Sequence, residues 1–204
     1  MISSLHLAKS LLAMIAVCAL SACDKAESPT TPPAAAPASQ FKPTAGIQDI
    51  MAQMIDPAAD FLWESVSSTV TAAGVEDKQP RTDDEWNEVR RQAIILAESA
   101  NLLVMEGRLV AREGKHLDDH GTPGNLTAEQ AQQAIAADRA TYVAFSHALH
   151  DVGVAMLKAA DERSPQGILD AGETLDQVCE GCHLKFWYPG QKIPAFPDQA
   201  PEPQ

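Results

Sequence analysis

Apolar residues recur three and four positions apart in four segments of the chain, and this pattern constrains the fold more than any other feature. Each segment is apolar on one face only, so each helix must bury that face against another helix. Short connections between such helices favour antiparallel neighbours. The sequence therefore predicts an all-α fold, specifically an antiparallel four-helix bundle, within a domain that spans residues 45–189.

Capping signals mark the starts of three helices. Thr82 and Thr127 each open a capping box, and Ser164 precedes a proline at the first helical position. The first helix is expected from about residue 46 to residue 72. The apolar stripe of the second helix contains Trp86, Val89, Ala93, Leu96, Ala100, Leu103 and Gly107, and that of the third contains Ile135, Tyr142, Phe145, Leu149, Val152 and Met156.

Two positions are expected to interrupt or end the helical pattern, one in each of the first two helices. Pro57 is expected to kink the first helix or to restart it with Asp56 as its cap. The second helix is expected to end at the turn residues of segment 120–124.

Residues 1–22 have the features of an export signal, with a short positive region before an apolar run that is too short to span a bilayer. The signal ends in Leu20-Ser-Ala-Cys23, which resembles a bacterial lipobox and predicts lipidation of Cys23; an ordinary cleaved signal is the alternative. Asp24 favours retention at the inner membrane. Residues 23–44 are rich in proline and alanine and predict a tether, and residues 190–204 form a second proline-rich tail.

Cys179-Glu-Gly-Cys182-His183 is the C-x-x-C-H signal for covalent attachment of haem c. On a helix, positions three and four apart share a face, so two thioether bonds and one iron ligand can come from the same side. A disulfide, a zinc site and a thioredoxin-like redox pair are the alternatives. Zinc would need four ligands and a redox pair would need a preceding strand, and neither pattern is present in the sequence.

The motif lies in the last helical segment, and in this respect the chain resembles the class II cytochromes c, the cytochrome c′ family. The strongest resemblance is the stretch 179–189, and segments 50–60 and 101–108 are similar to lipoprotein members of the family. This resemblance implies a four-helix bundle with one haem near the C-terminus, in either a five-coordinate gas-binding form or a low-spin form with a methionine ligand.

In an antiparallel bundle the haem would lie at the end that also contains Met51, Met54, Met105, His116 and His120. Met51 matches the position at which low-spin members of the family carry their sixth ligand, and Met54 is the less favoured choice. The residues expected at the opposite end, and so rejected as ligands, are His147, His150 and Met156.

Four residues near the predicted haem end have two interpretations each. Arg108 and Arg112 could pair with haem propionates, or they could be ordinary cations on a solvated helix face. Trp187 and Tyr188 are expected to pack against the haem or against the end of the bundle.

A formal charge of −13 argues against a nucleic-acid partner, since such binding depends on lysine and arginine. Simple solubility explains the charge better than an acidic docking face does. The sequence therefore predicts a periplasmic electron carrier with redox partner proteins, a lipid anchor in a membrane and, by resemblance, a homodimer. Gas binding is the main alternative. A peroxidase would need His116 or His120 as its distal acid–base residue.

Overall fold

Helices form most of the regular structure between residues 41 and 191, the part of the chain that the computed structural model describes. The predicted all-α class is confirmed. None of the helices within these residues is both long enough and apolar enough to cross a membrane. The elements in chain order are α1 (Ile47–Ile50), a π-helical turn (Met51–Ile55), α2 (Asp56–Ser65), β1 (Ser67–Thr71), β2 (Gly74–Lys78), α3 (Asp83–Leu103), α4 (Ala128–Ala137), α5 (Arg139–Asp161) and α6 (Pro165–Phe186).

Several predictions concern segments that lie outside the described residues. These are the export signal, the lipidation of Cys23, most of the tether and the tail beyond residue 191.

The first helix continues through Pro57, so the predicted restart with Asp56 as its cap is wrong; the alternative, a kink at Pro57, stays a prediction. α1, the π-helical turn and α2 follow one another directly, and Asp56 has a φ of −59° and a ψ of −52°, which are helical rather than cap-like. Proline has no N–H to donate to the carbonyl four residues earlier. The helix widens just before it: the Asp56 N–H donates to the carbonyl of Met51, five residues earlier.

The first helix ends at Ser65 rather than near residue 72. The following residues form an antiparallel hairpin of β1 and β2, which the sequence analysis did not predict. Segment 66–71 is rich in β-branched side chains, which favour extended backbone over helix. Gly74, with a φ of 129°, completes the turn between the strands.

The predicted caps are confirmed at all three positions. The side chains of Thr82, Thr127 and Ser164 each accept a hydrogen bond from the backbone N–H three residues later. These bonds satisfy amide groups that a helix leaves without a partner in its first turn.

Two other helical boundaries differ from the prediction. α3 ends at Leu103, and Gly107 lies in the connection that follows, with a φ of 78°. Its place in the predicted stripe is therefore wrong. The third predicted helix is divided at Asp138, whose φ of −134° and ψ of 57° are not helical and whose side chain accepts from the Thr141 N–H at the start of α5.

The helices pack side by side around one apolar core. α3 contacts α5, α5 contacts α6, and α2 contacts both α3 and α6. α3 and α5 run in opposite directions, because Arg163, just after α5, pairs with Asp83 at the start of α3 at 2.6 Å. α5 and α6 also run in opposite directions, because Lys185 near the end of α6 pairs at 2.6 Å with Asp138, which immediately precedes α5. The most deeply buried large apolar side chains are Ile50, Leu62, Leu96, Met156, Ile168 and Leu175.

Gly153 marks a very close approach of α5 to α3. A Cβ at this position would lie 2.7 Å from the backbone nitrogen of Ala97 and 2.8 Å from its Cα. Gly153→Ala is therefore expected to lower the free energy of unfolding by about 1–3 kcal/mol through overpacking. Helix propensity alone predicts the opposite sign, a gain of up to about 1 kcal/mol. Urea unfolding followed by circular dichroism measures the change, and a more stable variant would contradict the close packing.

Candidate functional site

A cavity of about 670 Å³ lies where the start of the first helix meets the end of α6. Its volume is in the range of roughly 300–1,000 Å³ that is typical of small-molecule and cofactor sites. The walls come from the first helix, the end of α3, the connection between α3 and α4, and α4, α5 and α6. Apolar lining residues include Ile55, Leu103, Ile135, Phe145, Leu149 and Phe186.

Cys179, Cys182 and His183 line one wall of this cavity. All three belong to α6, on which residues three and four apart lie on one face. The backbone N–H groups of Trp187 and Tyr188 both donate to the carbonyl of His183 at 2.9 Å, which ends the helix just beyond the motif. The structure therefore brings together the three residues that the sequence predicts to hold haem.

Burial raises the pKa of both thiols. It raises the pKa of Cys179 to about 11, with help from the carboxylates of Asp176 and Asp56. It raises the pKa of Cys182 to about 12, and Cys179 adds to this shift. The two cysteines are not joined in a disulfide. Dithiol oxidoreductases need a lowered thiol pKa, so the surroundings of this pair do not favour the redox alternative.

The ring of His183 is half-buried beside two aromatic side chains. Burial lowers the pKa of this imidazole, which favours the neutral form that can bind a metal. The ring of Trp187 stands edge-on at 4.9 Å between centroids, and that of Tyr188 lies at 5.7 Å. Hydrogen bonds from Trp187 Nε1 to Asp119 at 2.8 Å and from the Tyr188 hydroxyl to Glu180 at 2.7 Å hold the two rings in place.

Met51 lines the same cavity from the first helix. The start of this helix is fixed by backbone hydrogen bonds, because the first two amide groups of α1 donate to the carbonyls of Leu109 and Val110 at 2.9 and 3.0 Å. Met54 packs against the core and does not line the cavity. The structure thus brings the favoured methionine, and not the less favoured one, to the attachment motif. The role of Met51 as a ligand stays a prediction.

The remaining candidates for the sixth ligand, Met105, His116 and His120, do not line the cavity. The sulfur of Met105 accepts a hydrogen bond from Arg108 at 3.1 Å. His116 and His120 are exposed and stack on each other at 4.5 Å, outside the lining residues. A distal acid–base role therefore has no support from their positions. The three residues that the sequence analysis rejected are also absent from the lining: His147, His150 and Met156.

Neither of the two interpretations of Arg108, pairing with haem propionates or an ordinary cation on a solvated helix face, fits its surroundings. This side chain is 8% exposed, and its guanidinium donates to the carbonyls of Leu102 and Ala45, both at 2.6 Å. Its donors therefore serve the protein backbone. Arg112 pairs with Asp49 at 3.0 Å on the surface and does not line the cavity either.

Three buried side-chain oxygen atoms in the lining have no hydrogen-bond partner among the described residues: Gln48 Oε1, Asp119 Oδ1 and the Tyr142 hydroxyl. Tyr142 is only 2% exposed, and burial raises its pKa. Leaving a buried hydroxyl unpaired costs about 1–3 kcal/mol. A bound group that accepts from it would remove this cost. Sequence analysis assigned Tyr142 to the apolar stripe and found no signal for the other two residues.

These features fit the haem that the attachment motif implies. The two thiols and the imidazole share one wall, the other walls are mostly apolar, and the unpaired Tyr142 hydroxyl could donate to a carboxylate of the cofactor. Within residues 41–191 no group of three or more histidine, cysteine, aspartate or glutamate side chains is arranged to hold a metal ion by itself.

No protein-family model matches the chain, and comparisons with curated proteins and with solved structures gave no match. The interpretation of the cavity therefore depends on its own residues.

Arg108 is expected to matter for stability rather than for binding. Arg108→Ala should lower the free energy of unfolding by roughly 2–4 kcal/mol, because two carbonyls lose a charged donor. Arg112→Ala is the matched control and should cost less than about 1 kcal/mol, because it removes one exposed ion pair. Urea denaturation of the two variants measures the difference. Similar small losses in both would contradict the structural role of Arg108.

Proposed function

We propose that this chain is a monohaem c-type cytochrome that carries single electrons, with haem attached to Cys179 and Cys182 and iron bound by His183 and Met51. The observation that carries the proposal is that one cavity is lined both by the complete attachment motif on α6 and by Met51 on the first helix. The resemblance of the sequence to class II cytochromes c supports the same function.

We also propose that the helices form an antiparallel four-helix bundle. Its first helix is α1, the π-helical turn and α2; its second is α3; its third is α4 with α5; and its fourth is α6. The ion pairs between opposite ends of α3 and α5, and of α5 and α6, support this arrangement. The hydrogen bond from Trp63 Nε1, near the end of α2, to the carbonyl of Gly172 in α6 at 3.0 Å supports it too.

Bound haem would supply a one-electron couple between ferric and ferrous iron. The protein residues would hold and tune it. Cys179 and Cys182 would retain it covalently, and the neutral imidazole of His183 would offer a nitrogen lone pair. The thioether of Met51 is a soft ligand that raises the reduction potential. The dense apolar packing around the cavity would keep the site similar in both oxidation states.

The location that we propose is the periplasm, with the protein anchored to a membrane through lipidated Cys23. The lipobox supports the anchor, and Asp24 favours the inner membrane. The partners would be other redox proteins rather than nucleic acid, and the resemblance to class II cytochromes c allows for a homodimer.

Visible spectra of the oxidised, reduced and carbon-monoxide-treated holoprotein test the electron-transfer proposal. A low-spin spectrum that carbon monoxide does not change is expected, because a methionine fills the sixth position. Ready binding of carbon monoxide by the wild type would instead support the five-coordinate, gas-binding alternative.

Two methionine variants test the ligand in the same assay. Met51→Ala should convert the low-spin spectrum to a high-spin one and permit carbon-monoxide binding. Met54→Ala is the matched control, because this side chain does not line the cavity, and it should leave the spectrum unchanged. The reverse result would show that the assignment of the ligand is wrong.

Lipidation has its own test in cells that are given a labelled fatty acid. The label should appear on the wild-type protein and be absent from Cys23→Ser, which should also leave the membrane fraction. An unlabelled wild-type protein that is released after signal cleavage would support the ordinary export signal instead.

A further inference from the structure

A second groove of about 460 Å³ lies between α2 and α6, and we call it the α2–α6 groove. Leu62, Val66 and Ile168 contribute buried apolar surface to it. Trp63 and Leu169 also line it, and they are 37% and 45% exposed. Neighbouring large apolar side chains that remain exposed are typical of protein interaction sites.

The groove adjoins the cavity of the proposed haem site. Trp63 and Asp176 line both. The indole of Trp63 is held by its hydrogen bond to the carbonyl of Gly172, where a Cβ would lie 3.2 Å from the indole ring. A protein seated in the groove would therefore touch side chains that also line the cavity. Because the rate of electron transfer falls steeply with distance, this is a favourable position for a redox partner.

Carboxylates occur on both helices that form the groove. Asp56, Asp60 and Glu64 follow one another at intervals of four residues on α2 and so lie on one face of the helix. Glu173 and Asp176 line the groove from α6. No ion pair within residues 41–191 includes any of these five side chains. Their negative charge is therefore not neutralised locally.

Apart from Lys185 at the end of α6, the lysines and arginines of the described helices lie on α3 and α5. Segments 47–65 and 165–184 contain no lysine or arginine. On α3 and α5, by contrast, Arg90 pairs with Asp161 at 2.8 Å and Lys158 pairs with Glu162 at 2.5 Å. The sequence alone favoured simple solubility as the reason for the net charge. The lack of lysine and arginine in segments 47–65 and 165–184 gives the unpaired carboxylates of α2 and α6 a more specific role.

We propose that the α2–α6 groove is the docking site of a redox partner whose contact surface is an apolar patch surrounded by lysine or arginine. This inference rests on the proposed electron-transfer function. Complementary charge speeds the encounter of two proteins. A small apolar contact then suits the weak, short-lived complexes of electron-transfer proteins, whose interfaces are typically under about 1,200 Å².

Stopped-flow kinetics with the full-length holoprotein test this docking site. The probe is a strongly basic, soluble monohaem cytochrome c, mixed with the reduced protein at low salt. The second-order rate constant should fall as salt is added. The triple variant Asp60→Lys, Glu64→Lys, Glu173→Lys should lower the rate constant at low salt by about tenfold or more, because it reverses the charge beside the groove.

A matched control has the same change in net charge on other helices. The triple variant Asp84→Lys, Glu98→Lys, Asp151→Lys alters exposed residues of α3 and α5, and it should change the rate constant by less than roughly twofold.

A separate variant, Leu169→Ser, tests the apolar part of the groove. It should lower the rate constant without changing its dependence on salt.

Other outcomes would overturn the docking site. An equal fall of the rate constant in the two triple variants would show that only net charge matters. An unchanged rate constant in the triple variant of Asp60, Glu64 and Glu173 would show that the partner binds elsewhere. Analytical ultracentrifugation tests a second copy of the chain as the occupant. If the wild type is a dimer and the triple variant of Asp60, Glu64 and Glu173 is a monomer, the groove binds a second copy instead of a redox partner.

The visible spectrum distinguishes a failure of the proposed function from a failure of the docking site. Wild-type protein without attached haem overturns the proposed function, whereas a normal spectrum with unchanged kinetics overturns only the docking site.

Discussion

The buried guanidinium of Arg108 joins the segments that set the position of the cavity. It donates to the carbonyl of Leu102 at the end of α3 and to that of Ala45 just before α1, and it also contacts the sulfur of Met105. A buried charge is costly unless its donors are paired, so the backbone around it has little freedom. Because the first helix begins just after Ala45, the same contacts hold the start of the helix that contains Met51 against the end of α3.

Inside the cavity, burial favours the neutral form of each titrating group whose pKa it shifts. It raises the pKa of Cys179, Cys182 and Tyr142 and lowers that of His183. Carboxylates are present where the cavity adjoins the groove: Asp56 and Asp176 line the cavity, and Glu173 and Asp176 line the groove. The proposed cytochrome therefore combines neutral haem-binding side chains in a mostly apolar cavity with a neighbouring acidic face suited to a basic partner.

Local patterns correctly predicted where a helix starts when a cap preceded an apolar stripe. The residues Thr82, Thr127 and Ser164 start helices as expected, since their hydrogen bonds involve only the next few residues. Prediction failed where two local preferences compete. The β-branched run of segment 66–71 forms a strand instead of extending the first helix, and the helix passes Pro57 through a π-helical turn instead of breaking.

The sequence by itself determined the attachment motif and its position on one face of the last helix, because residues three and four apart are neighbours on any α-helix. It also limited the methionine candidates to a few positions. Only the tertiary structure decided that Met51 lines the cavity and Met54 does not, and that Arg108 donates to backbone carbonyls. These outcomes depend on contacts between segments far apart in the chain, which the spacing of residues within one helix does not specify.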